Sequence, residues 1–447
     1  MRTGRGTRKT PRLFAVTVVL LLVAAACGDD DDTGTTGTEA PGTTAATETT
    51  SAPDTTAAPE TTAPAETTEA PVAEGVTYKI GFVASATGPG SSLGIPEANT
   101  AEMLAEQWAD GITGPDGVHH AVEVIVLDSE SNPDVGAAAV NRLINEDEVD
   151  VLVAGTLSGN ALAMAPLAEE AHIPMISMGS ARSIVETDGA ARHWIFKTPQ
   201  ENGHSARWQA DYLTTMGITT VCYLFENSGF GQDTLNNGQA FFPDAGIEIV
   251  FNDTFERSDT EFPQMPGVQA SGCEAAVVGA IPPGASMVTA ALRDFVPDIP
   301  VIHGHGVCNS AFIDLAPEAT EGVPLPCGRL LVAAGLPDDD PQKAILVKYI
   351  DDYTAFTGGE PVSTFGGHAW DALMWAFEGL GSLDEGASLE DRRTGVRDYV
   401  EGSITNWPGT GGVFNITTDD HLGLEYTGLT FVRVEGGGYA YFPPEDW

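Results

Sequence analysis

The sequence predicts an α/β protein made of two doubly wound halves. From Val76 onward, short segments rich in β-branched residues alternate with helix-length segments, which is typical of parallel sheets covered by helices. The alternation runs through two series, and the second begins at Gly203 with the pattern of the first. The run Val149–Ala154 is almost wholly apolar, as expected of a strand buried on both faces of a sheet.

The elements follow in chain order. In the first half we expect strands at Tyr78–Ala84, Val122–Leu127, Val149–Ala154, Ile173–Ser177 and Trp194–Lys197, and helices at Glu97–Ala109, Asp134–Glu146 and Gly159–Ala171. In the second half we expect helices at Gly203–Met216, Gly231–Phe242, Glu261–Ala270 and Gly284–Phe295, and strands at Thr219–Phe225, Ile247–Phe251, Ala275–Ala280 and Pro300–Gly304. The remainder predicts a strand at Leu330–Ala334, helices at Pro341–Phe356, Ser363–Leu380 and Leu389–Glu401, and strands at Gly412–Ile416, Leu429–Val434 and Tyr439–Phe442. Helices that return after the second half indicate that the chain crosses back to the first.

The N-terminal part is expected to lie outside the folded protein. Five basic residues precede the apolar run Leu13–Ala26, which is short for a membrane span and typical of an export signal. Ala24-Ala25-Ala26-Cys27 resembles a bacterial lipobox, although Ala24 stands where such boxes usually have Leu, so residues 1–27 are predicted to be a lipoprotein signal peptide with lipidation at Cys27. Residues 28–75 contain no aromatic residue and are rich in Thr, Ala, Pro and Glu, a composition that does not fold. We interpret them as a tether to the outer face of the bacterial cell membrane.

The charge of the chain excludes one class of partner. The formal net charge is −44 at pH 7, from 64 acidic and 20 basic residues. Because few basic side chains remain to neutralise phosphates, we expect no nucleic-acid binding. A solvated acidic surface explains the charge better than an acidic docking site.

Four cysteines besides Cys27 suggest two disulfides in an exported protein, with three possible connectivities. Cys222 opens one expected strand and Cys273 immediately precedes another, and a flavodoxin-like strand order makes these strands neighbours. This favours Cys222–Cys273 and Cys308–Cys327. No two of the four lie at zinc-ligand spacing, and the histidine pairs His119-His120 and His303-x-His305 offer no placeable third ligand, so no metal and no cofactor are predicted.

A small polar turn after the strand Val149–Ala154 is the first candidate for a binding site. Open α/β sheets bind ligands at the carboxyl ends of their strands, and free N–H groups at the start of the next helix favour an anionic group. Ser158, Gly159 and Asn160 occupy that turn. A plain helix N-cap is the simpler interpretation of Ser158.

An ordered series of motifs carries a resemblance to a known family. The motifs are Ile80-Gly81-Phe82 before Thr87-Gly88-Pro89, the turn Leu127–Pro133, Ala163–Glu170, Ile173–Ser177 and Gly229-Phe230-Gly231. From about Val76 to the C-terminus the chain is similar to the branched-chain amino-acid-binding family, the type I solute-binding proteins of ABC importers. The resemblance implies a type I periplasmic-binding fold: two lobes joined by a three-strand hinge, closing on a small-molecule ligand and delivering it to ABC permease subunits without catalysis. The implied lobes are residues 76–200 with 328–425, and 201–327 with 426–447.

The resemblance also implies which residues bind the ligand. The carboxylate-binding serine falls on Ser158, and the turn that supplies backbone groups falls on Gly179, Ser180 and Ala181. In the second lobe the matching positions are Phe230, Ile281 and His305, the last in place of the acid that binds an α-ammonium group. Without a fixed anion an ammonium would stay unpaired, so we expect a carboxylate lacking an ammonium group, or a neutral amide or aromatic compound.

Two other functions remain open from the sequence. A protein of this fold could sense its ligand and report to a receptor instead of a permease. Gly90-Ser91-Ser92-Leu93-Gly94 also matches the G-x-S-x-G pattern of esterases, which makes Ser92 a candidate nucleophile of a hydrolase. The flanking Pro89 and Pro96 predict an irregular loop there instead of a strand–turn–helix elbow. Phe230, in turn, could be an ordinary core residue.

Overall fold

The structure is a computed structural model that describes residues 75–384 and 386–447. The predicted signal peptide, Cys27 and nearly all of the predicted tether lie outside the described residues. Two parallel sheets organise the described part, and each has helices on both faces. The doubly wound fold class is therefore confirmed.

The first sheet has five parallel strands whose spatial order follows the flavodoxin-like pattern. The strands, in spatial order, are Val122–Asp128, Tyr78–Ala84, Val151–Ala154, Met175–Ser177 and Ile195–Lys197. The position of the central strand accounts for its apolar sequence, because Val151 and Val153 face one apolar core whereas Leu152 and Ala154 face the other. A strand buried on both faces has no position for a polar side chain.

The second sheet repeats this arrangement with four parallel strands. Their spatial order is Glu248–Phe255, Thr220–Glu226, Ala275–Gly279 and Val301–His303. A separate antiparallel sheet consists of Pro324–Gly328, Leu429–Glu435 and Gly438–Tyr441. Its buried residues Leu325, Val432 and Val434 belong to the same core as Cys222 and Val278 of the second parallel sheet. We call the part built on the first sheet the first lobe and the part built on the second sheet the second lobe.

The helices divide between the two lobes. Around the first sheet lie Ser91–Gln107, Pro133–Asn145, Ser158–Glu170, Lys343–Thr357, Thr364–Gly381 and Leu389–Ser403. Around the second lie Asn202–Thr215, Gly229–Phe241, Met265–Ser271, Gly284–Phe295, Ser310–Asp314 and Pro317–Thr320. The helices after residue 340 share a core with Tyr78 and Phe82, so the chain does return to the first lobe, as predicted. The exact lobe boundaries given above stay a prediction.

Short elements complete the described chain. Two-stranded pairs form between Ile112–Thr113 and His119–His120, Glu186–Thr187 and Ala190–Ala191, and Thr405–Pro408 and Val413–Asn415. Single 3₁₀ turns lie at Arg182–Ile184, Pro243–Ala245, His305–Val307, Tyr426–Gly428 and Pro444–Asp446.

The predicted strand Leu330–Ala334 is wrong. Arg329–Gly335 forms 3₁₀ turns, and the strand is the preceding segment Pro324–Gly328. A short apolar run does not distinguish a strand from a buried helical turn. Pro324 and Pro326 also conceal the true strand, because proline is tolerated only where no ladder N–H is needed.

The start of the first helix is also corrected. The helix begins at Ser91, six residues before the predicted Glu97, and contains Pro96. A proline near a helix start removes only one hydrogen bond, here to the carbonyl of Ser92, so the helix continues through it. The expected irregular loop around Ser92 is therefore helical.

The disulfide prediction is confirmed. Cys222 pairs with Cys273 and Cys308 pairs with Cys327, with Cα–Cα distances of 5.6 and 5.9 Å. Within the described ranges, no helix combines the length and the apolar character that a membrane crossing requires.

Candidate functional site

A cavity lies between the two lobes at the carboxyl ends of their parallel strands. It encloses about 390 Å³ of space free of protein atoms, part of it open to solvent. Its wall consists of Leu93, Thr156, Leu157, Ser158, Met178, Ser180, Pro199, Glu226, Phe230, Arg257, Ile281, His305, Gly306, Phe365 and His368. We call it the inner cavity.

Ser158 lies where the sequence predicted it, at the start of the helix Ser158–Glu170. It is the first helical residue and not the N-cap, because Leu157 occupies the cap position without a side-chain hydrogen bond. The Ser158 Oγ accepts a hydrogen bond from the Ala181 N–H at 3.3 Å, and Ser158 lines the inner cavity. An uncapped helix start with a serine hydroxyl provides donors for an oxygen of a ligand.

The turn Gly179–Ala181 contributes less than predicted. Ser180 lines the inner cavity, whereas Gly179 and Ala181 do not. Gly179 donates its N–H to the Ser177 Oγ at 3.1 Å, and Ala181 donates to Ser158. The N–H groups of Gly179 and Ala181 are therefore already paired within the protein, so they hold the wall of the cavity in place and are not available to a ligand.

The apolar part of the wall joins both lobes. Phe230 and Ile281 of the second lobe form one buried cluster with Leu93, Leu157 and Phe365 of the first. Phe230 is only 7% exposed and packs in this apolar cluster, as the interpretation as a core residue expects, but its ring also lines the cavity.

Two histidines bring unpaired ring nitrogens to the cavity. Both ring nitrogens of His305 and the Nδ1 of His368 are buried without a hydrogen-bond partner. Burial is the main cause that lowers the pKa of each ring to about 3, and the nearby Lys197 adds to the effect in both. The Gln200 backbone favours the charged form of His305 but forms no hydrogen bond of acceptable geometry with it. Both imidazoles are therefore neutral at pH 7.

An ion pair in the wall corrects the expectation that the second lobe offers no fixed anion. Glu226 faces the cavity, and its Oε1 lies 2.6 Å from the Nη2 of Arg257. Its oxygens also accept from the Arg257 Nε at 3.1 Å, the Ser228 hydroxyl at 2.6 Å and the Ile281 N–H at 3.2 Å. A carboxylate has about four acceptor positions, and here all four are occupied.

The sequence carries a signal for Glu226 and Arg257 in their positions relative to two strands. Glu226 ends one strand and Arg257 follows the neighbouring strand Glu248–Phe255, so both lie at the carboxyl edge where open sheets bind ligands. Phe365 and His368 had no such signal, because they come from a helix that returns to the first lobe late in the chain.

The mouth of the cleft lies beside the inner cavity and shares five lining residues with it, which are Leu157, Ser158, Glu226, Phe230 and Arg257. Gly159 and Asn160 line the mouth and not the inner cavity. The Asn160 Nδ2 donates to the Ser129 Oγ at 3.1 Å, which fixes the first turn of the helix. Of the predicted site residues, five line the inner cavity, Gly159 and Asn160 line the mouth, and Gly179 and Ala181 line neither space.

The two other chemical candidates find little support in the described ranges. No group of three or more His, Cys, Asp or Glu side chains there could hold a metal ion. His303 points to Thr289 at 2.7 Å, and His120 stacks on Tyr78, so the two histidine pairs do not meet. The Ser92 Oγ is buried in a helix and bonds to no described residue, so no base activates it.

Comparison with known proteins defines the class. The family described as Periplasmic binding protein matches residues 77–438, and the chain belongs to that family. A protein from Pseudomonas aeruginosa named "Amino acid binding protein" is 23% identical over 48% of this chain. The "Leu/Ile/Val-binding protein BraC3" of Rhizobium johnstonii is 21% identical over 57% of the chain. The matched part spans 57% of the Pseudomonas protein and 68% of the Rhizobium protein.

Several solved structures share the fold of this chain. An extracellular ligand-binding receptor from Rhodopseudomonas palustris HaA2 is 25% identical with a TM-score of 0.75, covering 82% of this chain and 99% of the receptor. The branched-chain amino acid transporter substrate binding protein LivJ of Streptococcus pneumoniae, in complex with isoleucine, has a TM-score of 0.66 at 20% identity over 81% of this chain and 97% of LivJ. A solute binding protein of an ABC transporter from Rhodopseudomonas palustris BisB5, in complex with 3,4-dihydroxy benzoic acid, has a TM-score of 0.66 at 21% identity over 82% and 95% of the two chains. The predicted resemblance to the branched-chain amino-acid-binding family is confirmed.

Proposed function

We propose that this chain is the substrate-binding lipoprotein of an ABC importer, held outside the cell membrane by Cys27 and the tether. It captures a small carboxylate-bearing solute between its lobes and delivers it to the permease. The observation that carries the proposal is the inner cavity, which joins an uncapped helix start, a guanidinium group and two neutral imidazoles to an apolar wall contributed by both lobes.

The charges around the cavity favour an anion. Glu226 and Arg257 neutralise each other, and the helix start at Ser158 adds the partial positive charge of its free N–H groups. Arg257 uses its Nε and Nη2 on Glu226, which leaves donors of its guanidinium for a ligand oxygen. A ligand carboxylate between Ser158 and Arg257 would pair with both lobes at once and so favour closure.

An α-ammonium group has no comparable partner. Glu226 is the carboxylate of the inner cavity wall, and its acceptor positions are taken by Arg257, Ser228 and Ile281. A buried ammonium without an acceptor is costly. Leucine, isoleucine and valine should therefore bind more weakly than acids without an ammonium group, although LivJ binds isoleucine on the same fold.

A thermal-shift screen tests the proposal. Branched-chain amino acids, amides, short carboxylates and aromatic acids are added to the purified protein at saturating concentration. A ligand at about a hundred times its dissociation constant adds about 2.7 kcal/mol of stability, which is visible as a shift in Tm. Ser158→Ala should remove most of that shift, since a lost donor costs about 1–3 kcal/mol. A large shift with leucine that survives His305→Ala would contradict the proposed ligand class.

Import is tested separately from binding. A strain lacking this protein should lose uptake of the radiolabelled ligand and regain it with the wild-type gene. Normal uptake in the deletion strain, together with a lost transcriptional response to the ligand, would assign the protein to sensing instead.

A further inference from the structure

The inner cavity has two chemically different ends. The residues that border both the inner cavity and the mouth lie on the outer side, and they are Leu157, Ser158, Glu226, Phe230 and Arg257. His305 and His368 border the inner cavity alone and lie deeper. A ligand whose carboxylate lies at Ser158 and Arg257 would thus direct its other end toward the two imidazoles.

His305 and His368 are held in place by packing, and three of their ring nitrogens, both of His305 and the Nδ1 of His368, have no hydrogen-bond partner. His305 packs edge-on against Phe230 with ring centroids 6.1 Å apart, and His368 packs edge-on against Phe365 at 6.3 Å. The Thr198 hydroxyl donates to the backbone carbonyl of His368 at 2.9 Å, which fixes the helix turn that carries the ring. His305 is 6% exposed and His368 3% exposed. Buried polar groups are normally hydrogen-bonded, so unpaired ring nitrogens that face a cavity point to a partner that enters it.

We propose that His305 and His368 together recognise an uncharged hydroxyl group at the end of the ligand opposite its carboxylate. The inference rests on the proposed function and narrows the ligand to hydroxy acids. Each neutral imidazole carries one N–H donor and one lone pair, and a hydroxyl group both donates and accepts. One ring can donate a hydrogen bond to the hydroxyl oxygen while the other accepts a hydrogen bond from the hydroxyl O–H, so the two lobes would share one ligand group.

Charged groups fit this end poorly. A second carboxylate has only acceptors and would require a protonated imidazole, which the burial of both rings opposes. An ammonium group would find no carboxylate among the residues that line the inner cavity alone. A methyl group would leave the ring nitrogens unpaired. The pair thus selects for a hydroxyl and against its charged and apolar replacements.

Two matched ligand series test this directly by calorimetry at pH 7. One is benzoate, 4-hydroxybenzoate and terephthalate, and the other is hexanoate, 6-hydroxyhexanoate and adipate. In the series that fits the cavity, the hydroxy acid should bind about tenfold more tightly than the parent acid, as expected for one added hydrogen bond. The diacid should bind most weakly. Equal Kd values for hydroxy acid and parent acid, or tightest binding of the diacid, would overturn the inference while the proposed function stands.

If neither series binds, the proposed function is wrong in naming a carboxylate as the ligand, and this inference is wrong with it. The two failures are therefore distinguishable within the wild-type protein, whatever the variants do.

Two variants locate the effect. His368→Phe keeps the ring shape and removes both nitrogens, so the ratio between the Kd of the parent acid and the Kd of the hydroxy acid should fall to about one, whatever the absolute affinities. His368→Gln retains a donor and an acceptor and should keep part of the preference. A full preference in a folded His368→Phe protein would exclude His368 from recognition.

Discussion

A Cβ atom placed on Gly229 would lie 3.3 Å from the backbone nitrogen of Gly159, so two helix starts from opposite lobes touch through glycines. The contact lies in the mouth of the cleft, beside Ser158 and Arg257. It requires the lobes to be close together, and any larger side chain at Gly229 must push them apart.

Gly229→Val should therefore weaken ligand binding by holding the lobes apart. Overpacking of a tight contact costs about 1–3 kcal/mol, which here falls on the closed form and corresponds to a loss of about 5- to 150-fold in affinity. Small-angle scattering should give a larger radius of gyration for the variant with ligand than for the wild type. Gly402→Val is the matched control, because Gly402 is helical, exposed and has open space around it. Unchanged affinity in Gly229→Val would mean that the ligand does not need this contact.

Arg257→Met should destabilise the protein strongly even without ligand. It leaves the buried Glu226 carboxylate without its counter-ion, and breaking a buried pair in this way costs about 3–5 kcal/mol. The double variant Glu226→Gln with Arg257→Met should recover much of this loss, since no uncompensated charge remains. Urea unfolding of the two single variants and the double variant measures the coupling. Additive effects in that cycle would show that the pair contributes nothing to stability.

Removing either disulfide should lower stability by an amount that follows loop length. Cys222 and Cys273 are 51 residues apart and Cys308 and Cys327 are 19 apart. The loop-closure relation gives about 4 kcal/mol for the longer loop and about 3 kcal/mol for the shorter. Paired Cys→Ala variants and urea unfolding measure both values, and peptide mapping of the non-reduced protein checks the pairing. Four free thiols in protein isolated from its native compartment would contradict both bridges.

Stability should rise between pH 7 and pH 10.5 because of Lys197. Burial lowers the pKa of Lys197 to about 7, and its Nζ donates to the Pro199 carbonyl at 2.6 Å. The unfolded lysine keeps its ordinary pKa of 10.5, so in this window the unfolded state binds more protons and each rise in pH favours folding. The stabilisation is complete above pH 10.5 and disappears as the pH falls through 7.

Lys197→Met should remove that pH dependence. Over the window the wild type should gain up to about 1.4 kcal/mol of unfolding free energy per pH unit relative to the variant. Lys348→Met is the control, because Lys348 lies exposed on the helix Lys343–Thr357. Parallel pH profiles for wild type and Lys197→Met would show that the lysine remains charged in the folded protein.

Cys27→Ser should release the protein from the membrane. A lipid chain on Cys27 would anchor the tether, and the hydroxyl of serine is not a substrate for thioether attachment. Cell fractionation and detergent partitioning of wild type and variant measure the effect. Equal partitioning of both proteins would defeat the proposed anchor.

The order of the strands could be predicted because it depends on local patterns. Val151–Ala154 is apolar at every position. The strand that carries Cys222 pairs with the strand Ala275–Gly279, which begins shortly after Cys273. The strand Pro324–Gly328 could not be predicted, because its prolines contradict strand propensity and its partner Leu429–Glu435 lies about a hundred residues later. Pairing over that distance depends on the tertiary fold.

The candidate site was predictable only where it follows a strand. Ser158 lies in the turn after Val151–Ala154, whereas His368 reaches the cavity from a helix that the chain enters after its second crossing. Glu226 could have been found by its position, but its pairing with Arg257 depends on the close approach of two neighbouring turns. A local sequence pattern does not show which side chain pairs with a charged residue, so it does not show whether that charge is available to a ligand.

The strand Leu429–Glu435 affects how the protein is made. Phe431, Val432 and Val434 of this strand complete the interior of the second lobe, although they lie within the last twenty residues of the chain. A nascent chain that has crossed the membrane as far as residue 420 therefore still exposes an open apolar edge along Pro324–Gly328. The core of the second lobe therefore cannot be completed before residues 429–435 have been synthesised. A premature stop codon shortly before Leu429 would yield a product that quality-control proteases remove.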